Sequence, residues 1–548
     1  MMLPYDFTWM FGVTMVAAFI DAYGIGANDV ANSFATSVSS GSLTLGQACI
    51  VACFTEFLGA LLLGSGVADT IKDGIIQIEN FSETPEMLMM GMMCALVGSF
   101  TWVLTATRFG WPVSTTHSII GAVIGMGIAG YGGESVDWSW DGVIQIVVSW
   151  FLSPVLAGVI ASIIYMITKY AILRQVDSVK WAFRLVPLYF FVTVFIAVLY
   201  ICFKAPGAKS SGLLIEHVIG IALGCAAGVT ILAYVLLMPW LRRVVIEHED
   251  LRYYHIPIIW CVPKRPMPKE DLERKDSVTT ETREALEDDV DNEKSAAATA
   301  TDADATTSNK KLQDDDDVVE ASQPAEQAED NKWTLQRIKK KVLAVLLHGI
   351  NQDVRNLNND RIKKIHAHAQ LYEDDTEYMF SYLQVLTAIV ASFAHGSNDV
   401  SNAVGPLAAV FDIWQTASVN SKSPVPIWIL AYGGAAIDVG LATMGYRLMR
   451  SMGNNITYVT PSRGFSAELG ASLTVLTASQ LGLPVSTTHC ITGAITAVGL
   501  CNGNWRAVNW KMLAFVMFGW IATLPIAGLV SGLLFAFAAY GPSFVYLR

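Results

Sequence analysis

Twelve apolar stretches, most near the roughly 20 residues an α-helix needs to cross a bilayer, dominate the sequence. They lie near 7–38 (interrupted), 45–68, 86–107, 112–131, 142–168, 185–203 and 213–239. After a long polar gap come 378–404 (interrupted), 425–447, 464–482, 484–500 and 508–540. Only 15% of the residues are charged, where soluble proteins carry about 25%. Such a chain is expected to be an all-α polytopic membrane protein of about 12 transmembrane segments, because helices satisfy their own backbone groups in lipid. The first run has no basic lead-in and is broken by polar residues. It reads as a membrane segment and not as a signal peptide.

The net charge of −12 is local. Residues 264–330 hold 21 acidic and 9 basic side chains, and the rest of the chain is neutral. No basic domain suited to nucleic acid is present. The acidic segment has few aromatics and the run Asp314 to Asp317, so it is expected to be disordered. After it, Leu335, Ile338, Val342, Val345 and Leu346 recur at helical spacing with Arg337 and Lys339 to Lys341 between them. This fits a helix on the inner leaflet or an ordinary packed amphipathic helix. Lys and Arg in short loops number ten on one side and five on the other. Cytoplasmic loops carry the excess, which places both termini outside and the large loop inside. Asn80-Phe81-Ser82 is then an outer glycosylation acceptor. Eight cysteines are scattered, mostly in apolar runs, without a disulfide or metal spacing.

The chain repeats itself. Gly26-Ala27-Asn28-Asp29-Val30-Ala31-Asn32 matches Gly396-Ser397-Asn398-Asp399-Val400-Ser401-Asn402. Pro112 through His117 is identical to Pro484 through His489. Trp150 precedes Gly158 as Trp520 precedes Gly528. Seven crossings precede the second copy. Seven is odd, so the second copy enters from the opposite side and the repeats are inverted, a plan common in secondary transporters. The organisation expected is repeat 1 over 1–184, two linker helices over 185–241, an inner loop over 242–377 and repeat 2 over 378–548.

Asn28-Asp29 and Asn398-Asp399 sit inside apolar spans beside Gly24, Gly26, Gly396 and Gly405. Glycine weakens a helix by about 1 kcal/mol relative to alanine, so a broken helix with free carbonyls is expected. With Asn32 and Asn402 one turn on, carboxylate, amide and carbonyl oxygens form a hard cage suited to Na⁺. The plainer alternative is a polar knot joining two broken helices. Pro-Val-Ser-Thr-Thr-His places Ser114, Thr115 and Thr116, and likewise Ser486, Thr487 and Thr488, at helix N-termini. There the free N–H groups and the positive dipole end favour an anion. Simple capping by Ser or Thr is the alternative.

No Lys or Arg lies well inside an expected span. An anion of phosphate size therefore has no fixed cation, and co-bound cations at the Asp sites would supply the charge. Glu56 and Glu468 are intramembrane acids without repeat mates, since Leu96 stands where Glu468 would be matched. Each is an extra cation or proton site, or a buried acid bonded to the opposite repeat. His117 and His489 are expected to cap or orient, having no metal-ligand partners. No nucleophile–base pair, Walker motif or zinc signature is present, so an enzyme is not expected.

The paired Gly-x-Asn-Asp-Val-x-Asn and Pro-Val-Ser-Thr-Thr-His motifs resemble the inorganic phosphate transporter (PiT) family. The likeness spans all membrane segments and lies nearest its fungal plasma-membrane sodium–phosphate symporters. It implies phosphate at Ser114 to Thr116 and Ser486 to Thr488. It implies sodium at Asn28, Asp29, Asn398 and Asp399, and functional glutamates like Glu56 and Glu468. Some relatives use protons, so a proton-coupled symporter is the first alternative. A phosphate sensor working through the loop, and an anion channel, are further ones. Expected partners are inorganic phosphate, Na⁺ and the lipid bilayer, with a homodimer open to it.

Overall fold

The computed structural model describes residues 2–204, 214–268, 360–420 and 424–541. Nearly all of the acidic segment 264–330, and the amphipathic stretch after it, lie outside the described residues. Among the described residues no strand forms; two isolated β-bridges are the only extended pairings. The helices are α1 (Thr8–Asn28), α2 (Val30–Ser39), α3 (Leu45–Leu63), α4 (Ser65–Asp73), α5 (Pro85–Arg108), α6 (Thr115–Tyr131), α7 (Gln145–Thr168), α8 (Ser178–Lys204), α9 (Ile215–Leu232) and α10 (Met238–Val245). They continue as α11 (Asp360–Ala367), α12 (Asp374–Thr416), α13 (Ile427–Met444), α14 (Tyr446–Ser451), α15 (Pro461–Gln480), α16 (Thr487–Leu500) and α17 (Trp510–Tyr540).

Local signals set several ends. Thr44 and Gln47 form a capping box at the start of α3. Pro85 opens α5 at a position where its missing N–H has no partner to lose. Gly132, with φ 80°, closes α6 in a conformation that disfavours a side chain. Asp374, Asp375 and Glu377 stand at the positive end of α12.

Each of the twelve expected spans contains a helix. Nine helical stretches among the described residues are long and apolar enough to cross a membrane. The others are α6 with 17 residues, α16 with 14, and α15, whose 20 residues are rich in Ser and Thr. The span expected near 185–203 starts earlier, at Ser178.

α5 and α6 form an antiparallel hairpin. A Cβ on Gly91 would meet Met126, and Ser118 Oγ donates to the carbonyl of Ser99. The hairpin tip is residues 109–114 with the first turn of α6. α15 and α16 pack together likewise, with their tip at 481–486 and the first turn of α16. Helices from the two halves interleave. α1 packs on α13 and α12 on α3; α6 packs on α17 and α16 on α7. α8 and α9 lie mainly against each other, with α8 also touching α12.

The structure differs from the breaks expected at the Asn-Asp motifs. α12 runs unbroken through Asn398-Asp399 for 43 residues. In the first copy the helix is interrupted only at Asp29, whose φ −84° and ψ −39° remain helical. The glycines serve close approach instead. A Cβ on Gly26 would stand 1.8 Å from the carbonyl oxygen of Ile437, and one on Gly396 would stand 2.3 Å from that of Glu56. Any side chain there would push α1 off α13, or α12 off α3.

Candidate functional site

Irregular backbone at the two hairpin tips needs partners where water is excluded. The motif asparagines supply them. Asn28 Nδ2 donates to Thr107 Oγ1 at 2.9 Å and to the carbonyl of Trp111 at 3.1 Å, and its Oδ1 accepts from the N–H of Val113 at 3.2 Å. Asn398 Nδ2 donates to the carbonyl of Val485 at 2.9 Å. Asn28 thus holds the first tip and Asn398 the second. Ser114 and Ser486 cap α6 and α16 by accepting the N–H groups of His117 and His489. The threonines that follow them, Thr115 and Thr116 and likewise Thr487 and Thr488, are buried.

The two tips meet at the two aspartates. Asp29 accepts from the hydroxyl and the N–H of Thr115, and from Thr488 Oγ1 at 2.6 Å. Asp399 accepts from Thr487 Oγ1 at 2.9 Å and Thr116 Oγ1 at 3.0 Å. Each carboxylate is therefore held by one threonine of its own half and one of the other. Asn32 Nδ2 donates to Thr488 Oγ1 at 2.9 Å; Asn402 Nδ2 reaches Thr115 and Thr116 at 3.2 Å. The amide oxygens of Asn32 and Asn402 are buried without a hydrogen-bond partner. All these residues are buried, and no Lys or Arg stands among them.

One residue was not anticipated from the sequence. His395, buried on α12, has Nδ1 at 2.8 Å from Glu56 Oε2 and Nε2 at 3.1 Å from Asp399 Oδ2. The second contact has ion-pair distance without hydrogen-bond alignment. Oxygens of Asp29 and Asp399 and a ring nitrogen of His395 lie within 4.8 Å of one another. The available signal was spacing: His395 precedes Asp399 by four positions, one helical turn. Ile25 occupies that place before Asp29, so the cluster is not symmetric.

Both glutamates bond to the opposite half, which was one of the two expectations for them. Glu56 accepts from Ser392 Oγ at 2.7 Å as well as facing His395. Glu468 accepts from Thr36 and Ser37 at 2.6 Å, Thr387 at 2.6 Å and Gln384 Nε2 at 3.1 Å. Ser40 and Ser42 donate to Gln384 and line a cavity of about 610 Å³. That cavity opens between Tyr253, Asp374, Tyr378 and Tyr458, beside the ends of the large loop. Thr36 and Ser40 follow Asn32 at four-residue steps, so one face of α2 carries polar groups from the aspartates towards this opening.

His117 and His489 stack edge-to-face with centroids 4.5 Å apart. Trp150 lies 3.8 Å from His117 and Trp520 lies 3.7 Å from His489. The third matched landmark of the repeats is thus the wall behind the motif histidines. Asn80, the glycosylation candidate, is exposed in a 3₁₀ turn and takes no part in the site. Arg463 is buried at the start of α15. It is held by the carbonyls of Tyr458 and Gln370 and by Asn502, away from the aspartates.

Chemically, the cluster offers two acids, hydroxyl and N–H donors from two helix N-termini, and uncommitted amide oxygens. Hard cations and an oxyanion suit that set. A phosphate transporter family model matches residues 25–531. The chain is 39% identical to the phosphate-repressible phosphate permease pho-4 of Neurospora crassa, over the full length of both. It is 30% identical to human sodium-dependent phosphate transporter 1, over 98% of this chain and 96% of that one. A solved structure described as the sodium-dependent phosphate transporter superposes with TM-score 0.67 at 26% identity, covering 96% of this chain and 98% of that one. These relatives are transporters and not enzymes. With the paired motifs meeting at one buried cluster, and a family model spanning nearly the whole membrane portion, the chain belongs to the phosphate transporter family.

Proposed function

We propose that the chain is a sodium-coupled symporter that imports inorganic phosphate by alternating access. The observation that carries this reading is the crossed cluster, with two buried carboxylates each held by threonines from both hairpin tips. Phosphate cannot join two carboxylates in a water-poor site unless positive charge accompanies it. Sodium ions at Asp29 and Asp399 supply it. The unpartnered oxygens of Asn32 and Asn402 are suited to complete their shells. Asn28 and Asn398 act one step back, by fixing the tips.

Sodium contributes a second time. A cation on each carboxylate takes up lone pairs that now accept from the four threonine hydroxyls. Those hydroxyls, with Ser114, Ser486 and the first N–H groups of α6 and α16, then turn to phosphate. Anion and cations thereby favour each other's binding. The halves act as inverted repeats, so the cluster can be exposed to either side in turn. With the loop inside and both termini outside, the cavity bounded by Tyr253 and Tyr378 is the cytoplasmic vestibule of a plasma-membrane protein. The name of the human relative supports sodium; that of the Neurospora permease states no ion.

The test is phosphate uptake into proteoliposomes with Na⁺ against K⁺ at fixed pH. Sodium-dependent accumulation against a phosphate gradient is expected, which a channel cannot give. Equal uptake in both salts, driven by a proton gradient, would replace sodium by protons. The contact between His395 and Glu56 favours that second reading. Titration calorimetry with phosphate, in sodium and then in choline, measures the coupling directly. By linkage, phosphate must raise sodium affinity by the factor by which sodium raises that of phosphate, typically about 5- to 150-fold for a coupling of about 1–3 kcal/mol. Full uptake after deletion of 264–330 would dispose of a sensor reading of the loop.

A further inference from the structure

A cavity of about 650 Å³ lies between the first turn of α8 and the end of α10, outside the central site. That is within the roughly 300–1,000 Å³ usual for small-ligand sites. Lys180 and Arg184 of α8 and Arg242 of α10 converge on it. All three are exposed, and none forms an ion pair among the described residues. The neighbouring Arg243, by contrast, is committed to Glu249 at 2.5 Å and to three carbonyls. Two acids share the wall. Glu373 is tied to the start of α8, accepting from Ser178 Oγ; Asp177 precedes the helix. The opening turn of the 27-residue α8 adds the positive end of its dipole.

Depth in the membrane follows from the aromatics. Tyr170, eight positions before α8, and Trp181, in its first turn, are exposed, each with an arginine over its ring (Arg174 at 5.3 Å and Arg184 at 5.4 Å). Tyr254 and Trp260 are exposed in the 3₁₀ segment Tyr253–Cys261, which packs on α10. Trp and Tyr gather at headgroup level, so the cations stand there too. Leu188 and Val192 follow Arg184 at four-residue steps and are exposed, so an apolar stripe continues along α8 from that cation.

We propose that this cavity binds the headgroup of a membrane lipid carrying phosphate monoesters, with its acyl chains along Leu188 and Val192. A monoester carries about 1.5 to 2 negative charges and three acceptor oxygens, which matches three cations whose two guanidinium forks grip phosphate bidentately. A singly charged diester gains less, because Asp177 and Glu373 oppose it. A soluble phosphate ester shares the headgroup chemistry; the apolar stripe selects the lipid. The site is independent of the transport reading.

The test uses the purified full-length chain in detergent. The probes are short-chain phosphatidylinositol bisphosphate and the water-soluble inositol trisphosphate that corresponds to its headgroup. Binding of the lipid is expected to weaken roughly fivefold for each cation removed, or on the order of a hundredfold in Lys180→Gln/Arg184→Gln/Arg242→Gln. The charge-keeping variant Lys180→Arg/Arg242→Lys should stay within about threefold of wild type, by the same dependence on charge. Unchanged lipid affinity in the triple variant would overturn the site. Soluble headgroup binding as tightly as the lipid would overturn the lipid as occupant. Should the triple variant not fold, Arg242→Gln alone decides, since an unchanged affinity there is equally fatal.

Discussion

Thr488 Oγ1 donates to Asp29 Oδ1 at 2.6 Å, across 459 positions of sequence. The bond joins the hairpin tip of one half to the motif carboxylate of the other, and Thr116 to Asp399 is its counterpart. Charge at either aspartate therefore bears on the position of the opposite tip. In the symporter proposed above, this link would join the cation sites to the anion site.

Thr116→Val with Thr488→Val should weaken phosphate binding while leaving a folded protein. Each swap deletes a hydroxyl at nearly constant volume. A hydrogen bond to a charged group is worth roughly 1.5–3 kcal/mol, or about ten- to a hundredfold in affinity for each. Neighbouring losses need not add. Calorimetry in saturating sodium is the measurement, with Thr105→Val as control, because that exposed hydroxyl only returns to its own helix. Wild-type affinity in the double variant would leave these threonines as links between halves and nothing more.

Asp29→Asn and Asp399→Asn should each shift sodium activation of uptake to higher concentration. An amide keeps one coordinating oxygen and removes the charge that holds the cation. The second should also loosen His395, whose Nε2 stands 3.1 Å from Asp399. The two variants are therefore expected to differ in degree. Sodium dependence unchanged in both would remove the aspartates from the cation sites.

His395→Ala leaves Glu56 and Asp399 buried without the imidazole that stands between them. Uptake and thermal stability should both fall. Adding Glu56→Gln should recover part of the stability, because the buried carboxyl group left without its imidazole partner is gone. Residues in direct contact couple by about 0.5–3 kcal/mol in such cycles. Strict additivity, measured by thermal unfolding of the purified variants, would mean that the contact carries no energy.

Gly26→Ala should lower thermal stability in detergent, and Gly396→Ala should do the same. The new methyl groups would stand 1.8 Å and 2.3 Å from carbonyl oxygens of neighbouring helices. Overpacking of this kind typically costs about 1–3 kcal/mol. Gly12→Ala, where a methyl group meets nothing within 4 Å, should be neutral. A midpoint unchanged by Gly26→Ala would mean that α1 and α13 separate freely.

Some of this was open to reading from the residues, because it depends on local chemistry. Apolar length gives membrane helices, and Ser before Thr-Thr-His gives a capped helix start. An intramembrane Asp beside Asn marks a site, because a carboxylate in lipid needs compensation. The glycines misled for an equally physical reason. Glycine weakens an isolated helix, but within a bundle the neighbouring helix decides whether the space becomes a break or a contact. Around Gly396 the packing of α3 keeps α12 whole. His395 was legible only as a residue one turn before Asp399; that Glu56 faces its other nitrogen depends on how α3 lies against α12.

By itself the sequence determined the class of solvent, the helical content, the duplication and the residue types at the centre. Each of these follows from the composition and spacing of a few neighbouring side chains. Only the tertiary structure decided which threonine meets which carboxylate, what Asn28 and Asn398 hold, and where Glu56 and Glu468 find their donors. Those are contacts between segments roughly eighty to more than four hundred positions apart. Their geometry is set by how whole helices approach one another, which no local pattern encodes.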